Sequence, residues 1–148
     1  MKLMLVCTSG GHFSTMRRLE QFWSSHDRVW VTDLKKDTQI LEGKEKVYWL
    51  PYQGSRDIFV LAKNIPQVFS IVGSEQPDLV ISTGASLAIS FAFVSKYFKK
   101  KFVYIESISR SQELSLSGKL VYPLSDEFYV QWSNLCSKYP KAVFKGYA

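Results

Sequence analysis

Cysteine and histidine are scarce in this chain, with two of each in 148 residues. Cys7 and Cys136 cannot build a disulfide framework, and no C-x-x-C or His/Cys spacing suggests a metal. The scarcity fits a reducing, cytoplasmic compartment, and neither a metal nor an organic cofactor is expected. Long apolar runs are missing too. The longest uncharged stretch, Leu79 to Ser95, is interrupted by Ser82, Thr83 and Gly84, whereas a membrane span needs about 20 apolar residues. The chain enters its first core strand at Lys2, so its start does not read as a secretory leader. Acidic residues are outnumbered, 13 against 19 basic, for a net charge of +6. Basic residues cluster at Arg17–Arg18, Lys35–Lys36 and Lys99–Lys101. Nucleic acid, an anionic membrane and a diphosphate-bearing substrate all suit such charge. No DNA- or RNA-recognition module is present, so nucleic acid is not an expected partner. Repeats and low-complexity segments are absent. So are the dinucleotide G-x-G-x-x-G and the phosphate loop G-x-x-x-x-G-K-[ST].

What is present is an alternation of apolar runs and helical patterns. Lys2–Cys7 reads as a strand, followed by a helix from His12 to Trp23. Arg28–Thr32 is a second strand. Lys35–Gly43 is a polar helix or loop, Lys46–Leu50 a short strand and Pro51–Ser55 a turn. Arg56–Ser74 reads as a long helix with Ile58, Ala62, Ile65, Phe69 and Val72 on one face and a kink at Pro66. Leu79–Ser82 is a strand, Ser86–Tyr97 a helix, Lys101–Ile105 a strand, Leu114–Leu124 a helix and Phe128–Gln131 a last strand. Trp132–Ala148 reads as irregular. Strands alternating with helices imply an α/β fold: one Rossmann-like, doubly wound parallel sheet covered on both faces. The length suits a single domain, residues 1–148.

Ligands of such sheets bind beyond the carboxyl ends of the strands. Three polar turns fall there. The first is Thr8 to His12. Ser9, Gly10 and Gly11 make a tight turn into a helix, which directs backbone N–H groups and a helix dipole at one volume suited to phosphate. His12 donates to an anion there, takes a proton from a hydroxyl, or only caps the turn. The second is Ser82 to Ser86. Thr83, Gly84 and Ser86 offer hydroxyls and another glycine turn, or Ser86 is simply an N-cap. The third is Glu106 to Arg110. Glu106 is a general base, a group orienting His12, or an ion-pair partner of Arg110; Ser107 lies between them. Asp33, after the second strand, is a loop cap or a ribose ligand. The ribose role would make the chain a stand-alone nucleotide- or dinucleotide-binding domain.

Taken together, SGGH, STGAS, IESISR and SLSGKLVYPLSDEFYVQW resemble the PssD/CpsF-type polysaccharide biosynthesis proteins. These are bacterial relatives of the membrane subunit of the eukaryotic dolichol-diphosphate-chitobiose-forming transferase. The resemblance spans nearly the whole chain. It implies the N-terminal, acceptor-side half of a split GT-B glycosyltransferase that moves a sugar from a UDP-sugar onto a lipid-diphosphate-linked sugar, in capsule or exopolysaccharide assembly. The implied partner is a separate C-terminal half that binds the UDP-sugar. His12 and Glu106 are then the catalytic candidates. Ser9, Gly10, Gly11, Thr83, Gly84, Ser86, Ser107 and Arg110 are the substrate-binding ones. The eukaryotic relatives carry an N-terminal membrane helix, and this chain starts at the strand. Attachment to the inner face of the cell membrane is therefore expected to be peripheral, through anionic lipid.

Overall fold

The computed structural model describes residues 1–51 and 58–148. Among them, seven strands form one parallel sheet. They are β1 (Lys2–Val6), β2 (Asp27–Thr32), β3 (Val47–Trp49), β4 (Leu79–Ser82), β5 (Lys101–Ile105), β6 (Glu127–Val130) and β7 (Ala142–Phe144), in the order β3-β2-β1-β4-β5-β6-β7. Six helices accompany them: α1 (Gly11–Arg18), α2 (Glu20–Trp23), α3 (Ile58–Glu75), α4 (Leu87–Tyr97), α5 (Leu116–Val121) and α6 (Leu135–Lys138). The chain winds outward from β1 to β3, returns to β4 beside β1, and winds outward the other way. The reversal opens a crevice above the carboxyl ends of β1 and β4, where the first two polar turns lie.

Both faces of the sheet are apolar, as a parallel sheet requires. Met4, Val6, Val29, Val31, Val80 and Phe102 face one way and meet Val68, Val72, Phe91, Val94 and Val121 from α3, α4 and α5. Leu3, Leu5, Trp30 and Ile81 face the other way and meet Phe13, Met16 and Trp23 from α1 and α2. Trp30 is fully buried, edge-on to Phe13 at 5.7 Å and to Trp23 at 5.3 Å. Truncating such a side chain in a packed core costs about 3–5 kcal/mol. At the amino ends of the strands, Glu75 accepts Lys2 Nζ at 2.7 Å, Lys46 Nζ at 2.6 Å and the Tyr48 hydroxyl at 2.5 Å. Burial alone would raise its carboxyl, but these three donors hold it down at about 2.

Several expectations need correction. The helix read as His12–Trp23 breaks at Leu19, whose backbone leaves helical geometry; α2 then turns Trp23 onto Trp30, with its indole N–H donating to Met16 O at 2.9 Å. The polar stretch Lys35–Gly43 forms only a 3-10 turn, Thr38–Leu41. Within α3, Ile65, Phe69 and Val72 of the expected face pack against the core together with the buried Asn64, Val68 and Ile71, while Ala62 is exposed. The buried Asn64 hides the ridge through Val68 and Ile71 from an apolar pattern. Pro66, the expected kink, lies inside the continuous helix α3. The Pro51–Ser55 turn, apart from Pro51, and the Arg56 start of the helix lie outside the described residues. The helix expected over Leu114–Leu124 is α5 plus a 3-10 turn, Tyr122–Leu124. The tail is not irregular: it holds α6 and the edge strand β7, paired with β6.

Candidate functional site

The first turn is anchored by two aspartates from beyond β2. Ser9 donates its N–H to Asp33 Oδ1 at 2.6 Å and its hydroxyl to Oδ2 at 2.8 Å. Gly10 donates its N–H to Asp37 Oδ2 at 2.7 Å. Thr38 fixes the Asp33 segment by donating its hydroxyl to Asp33 O at 2.7 Å. Gly10 sits at φ +85, a conformation natural only to glycine. This arrangement corrects two expectations. The N–H groups of Ser9 and Gly10 are not available to a phosphate, because carboxylates already hold them. Asp33 is 3% exposed with both oxygens engaged by Ser9, so it is a turn anchor and not a ribose ligand. The N–H groups of Gly11, His12 and Phe13 remain in the first turn of α1, where no helical carbonyl reaches them. The space above Gly10 and Gly11 is open: a Cβ at either would meet nothing within 4 Å.

The second turn locks onto the first. His12 Nδ1 lies 2.8 Å from Thr83 O, and the Thr83 hydroxyl donates to His12 O at 2.6 Å. A carbonyl oxygen only accepts, so Nδ1 carries the proton. In the neutral ring, Nε2 then presents a lone pair. Gly84 makes the approach possible. Its φ is +127, and a Cβ built on it would lie 2.5 Å from His12 Nδ1. Ala85 follows at φ +66, a left-handed backbone in a residue with a side chain. Such conformations cost about 1–3 kcal/mol and persist where the surroundings fix them. Ser86 is buried at the start of α4. The structure therefore gathers Ser9, Gly10, Gly11, His12, Thr83, Gly84 and Ser86 around the crevice.

The third turn lies one strand farther, beyond β5. Glu106 is 1% exposed. It accepts the N–H of Ser107 at 2.9 Å, the N–H of Ser115 at 2.9 Å and the Ser115 hydroxyl at 2.9 and 3.0 Å. Ser115 is also the N-cap of α5, accepting Gly118 N–H at 2.9 Å. Glu106 thus ties β5 to α5. Among the described residues no ion pair joins it to Arg110, and no hydrogen bond joins it to His12, whose orienting partner is Thr83 instead. Burial and the nearby Glu106 together raise the Tyr104 phenol above its ordinary range. The Ser107 hydroxyl pairs with Ser109 at 2.9 Å, and Arg110 is exposed. Asp37, 27 residues from its partner Gly10, carries no local signal that would mark it as part of the site. Among the described residues no His/Cys/Asp/Glu group could hold a metal ion.

A sequence profile described as "Oligosaccharide biosynthesis protein Alg14 like" matches residues 54–148, almost two thirds of the chain. A protein of Debaryomyces hansenii named UDP-N-acetylglucosamine transferase subunit ALG14 is 31% identical over 173 residues, covering 97% of this chain and 75% of its own. Its namesake from Yarrowia lipolytica is 29% identical, with 98% of this chain and 80% of its own covered. Among solved structures, Acinetobacter baumannii MurG superposes with a TM-score of 0.76 at 13% identity, over all of this chain and 46% of that one. The chain thus spans less than half of that structure, and the likeness shows the fold alone: the Rossmann-like N-terminal domain of a GT-B protein. By the profile and the fungal relatives, the chain belongs to the Alg14-like family of oligosaccharide biosynthesis proteins.

Proposed function

We propose that residues 1–148 act as the acceptor-side domain of a two-polypeptide glycosyltransferase. The donor would be a UDP-sugar, UDP-N-acetylglucosamine by the names of the relatives, held by a separate donor-binding partner. The acceptor would be a lipid-diphosphate-linked sugar in the crevice between β1 and β4. Capsule or exopolysaccharide assembly, the finer context, rests on the motif resemblance alone. Attachment would be peripheral, at the inner face of the cell membrane; among the described residues no helix is long and apolar enough to cross one.

One observation carries the reading: the His12 ring is fixed by the Thr83 carbonyl at the switch point, directly after Gly10 and Gly11, where a Cβ would meet nothing within 4 Å. Nε2 would take the proton from the attacking sugar hydroxyl as the bond to the donor's anomeric carbon forms and UDP departs. The N–H groups of Gly11, His12 and Phe13, with the α1 dipole, favour acceptor phosphate nearby. Glu106, closed in by Ser107 and Ser115, would support the crevice wall, and Ser107 and Arg110 would line its outer rim. The engagement of Asp33 by Ser9 counts against the nucleotide-binding alternative.

The test is co-expression with the donor-binding partner, co-purification and a transfer assay. His12→Ala should lower kcat by about 10²–10⁴-fold, the range for a positioned base, with the complex intact. Unchanged kcat would remove His12 from the chemistry. A raised acceptor KM with kcat kept would make it a phosphate ligand instead. The isolated chain should transfer little or no sugar, and robust transfer by it alone would sink the split-enzyme reading.

A further inference from the structure

The helical layer over one face of the sheet exposes several large apolar side chains. Phe93 and Tyr97 on α4 are 53% and 68% exposed, and Leu116 and Leu120 on α5 are 57% and 48% exposed. They are the outward side chains of helices whose inward sides are already filled by Phe91, Val94 and Val121. The core therefore does not account for them. Tyr97 is steadied by edge contacts to Phe69 at 4.8 Å and Phe98 at 5.3 Å. Lys96 and Lys119 stand in the last turns of the same two helices, with Lys119 3.4 Å from the exposed Glu113.

Charge separates this surface from the others. The sequences of α3, α4 and α5 contain a single acid, Glu75, whose side chain is 2% exposed and paired with Lys2 and Lys46. The segment from β2 to β3, on the far side of β1, instead carries Asp33, Asp37, Glu42 and Glu45. Exposed apolar and aromatic groups interleaved with lysines complement a bilayer interface, and the accessible acid beside them, Glu113, is already paired with Lys119 and Lys138. Aromatic rings and leucines suit the headgroup boundary, and each lysine is drawn to anionic lipid.

We propose that the outer face of α4 and α5 rests on an anionic membrane surface through Phe93, Tyr97, Leu116, Leu120, Lys96 and Lys119. The inference rests on the acceptor-side reading only for its purpose. The α4 helix begins at the turn that holds His12. Phe93 lies six residues into it, about 9 Å along the axis. A diphosphate at the headgroup level would then sit within reach of the crevice while its lipid stays in the bilayer.

The test uses the full chain and sedimentation with phosphatidylcholine vesicles containing one third phosphatidylglycerol, at low salt. Lys96→Glu with Lys119→Glu should raise the dissociation constant several-hundred-fold, at about five-fold for each unit of charge changed. Phe93→Ser with Tyr97→Ser should weaken binding at least ten-fold. Lys35→Glu with Lys36→Glu, equal in net charge but outside this layer, should weaken it far less. Phe93→Trp should gain fluorescence quenching by bromine-labelled lipid beyond that of the native tryptophans, a readout that survives if the serine variants misfold. Equal losses in both glutamate pairs, equal binding to neutral vesicles, binding to duplex DNA as tight as to vesicles, or no added quenching would each overturn the proposal. Absent vesicle binding alongside normal transfer to a water-soluble acceptor would overturn this inference and leave the acceptor-side reading standing. Normal vesicle binding with no transfer by the complex would do the reverse.

Discussion

Gly84→Ala tests the geometry of the crevice most directly. The new Cβ would lie 2.5 Å from His12 Nδ1 and 2.6 Å from Cε1, where ordinary contact begins at 3.4 Å. The ring must retreat by about 0.9 Å, and the 2.8 Å bond from Nδ1 to Thr83 O cannot survive that movement. Two costs follow. The φ of +127 suits only glycine, which is worth about 1–3 kcal/mol. The lost hydrogen bond adds about 1 kcal/mol. For a chain of this size the sum lowers Tm by roughly 4–16 °C. A base displaced by about 1 Å is expected to lose about 10²-fold in kcat. The assay is a double-mutant cycle with His12→Ala, read in thermal melting and in transfer by the reconstituted complex. In the His12→Ala background the alanine at position 84 meets no ring, so only the backbone strain should remain, with no further loss of kcat. Equal costs in both backgrounds, or normal kcat in Gly84→Ala, would refute the reasoning.

Three further outcomes follow. Asp33→Ala should destabilise the fold by about 2–3 kcal/mol, since it leaves the Ser9 N–H without its charged acceptor; it should lower transfer by loosening the turn, and NAD titrated against wild type by tryptophan fluorescence should produce no change. Glu106→Gln puts an amide NH2 where N–H and O–H donors converge, so it should cost about 1–3 kcal/mol in denaturant melts while leaving the pH profile of kcat unmoved; loss of one limb of that profile would make Glu106 a base after all. Glu75 titrates at about 2 when folded against an ordinary 4.5. A depressed carboxyl contributes stability in full above its unfolded value and loses it as pH falls toward its folded value. Tm should therefore fall between about pH 4.5 and pH 2, with a shallower fall in Glu75→Gln, and equal slopes would show that Glu75 plays no part.

The winding of the sheet was legible in the sequence because buried strands and glycine turns are local signals. Leu3–Val6 and Val80–Ser82 are short apolar runs, and SGGH and STGAS follow them. Topology then brings those two turns together without any further information. What escaped had partners far away in the chain. Asp33 and Asp37 look like ordinary loop acids until the fold sets them against Ser9 and Gly10. Glu106 and Arg110 are close in sequence, yet the carboxyl turns inward to Ser115 because the start of α5 offers it an N–H and a hydroxyl. The inward face of α3 is legible in part: Ile65, Phe69 and Val72 do pack on the core, while the buried Asn64 hides the ridge through Val68 and Ile71. Strand β7, three residues at the edge, falls within the tail that reads as irregular.

The two aspartates also decide which side of the first turn an anionic acceptor can occupy. They hold the Ser9 and Gly10 amides from the β2 side. A diphosphate laid over that side would meet the exposed Asp37 beside Arg17 and Arg18, and no unengaged amide of Ser9 or Gly10. Toward β4 it would meet instead the amides of the first turn of α1, the positive end of that helix, and the His12 ring held by Thr83. We infer that the acceptor lies between β1 and β4. There a hydroxyl can face Nε2 while the lipid runs out along the side from which α4 departs.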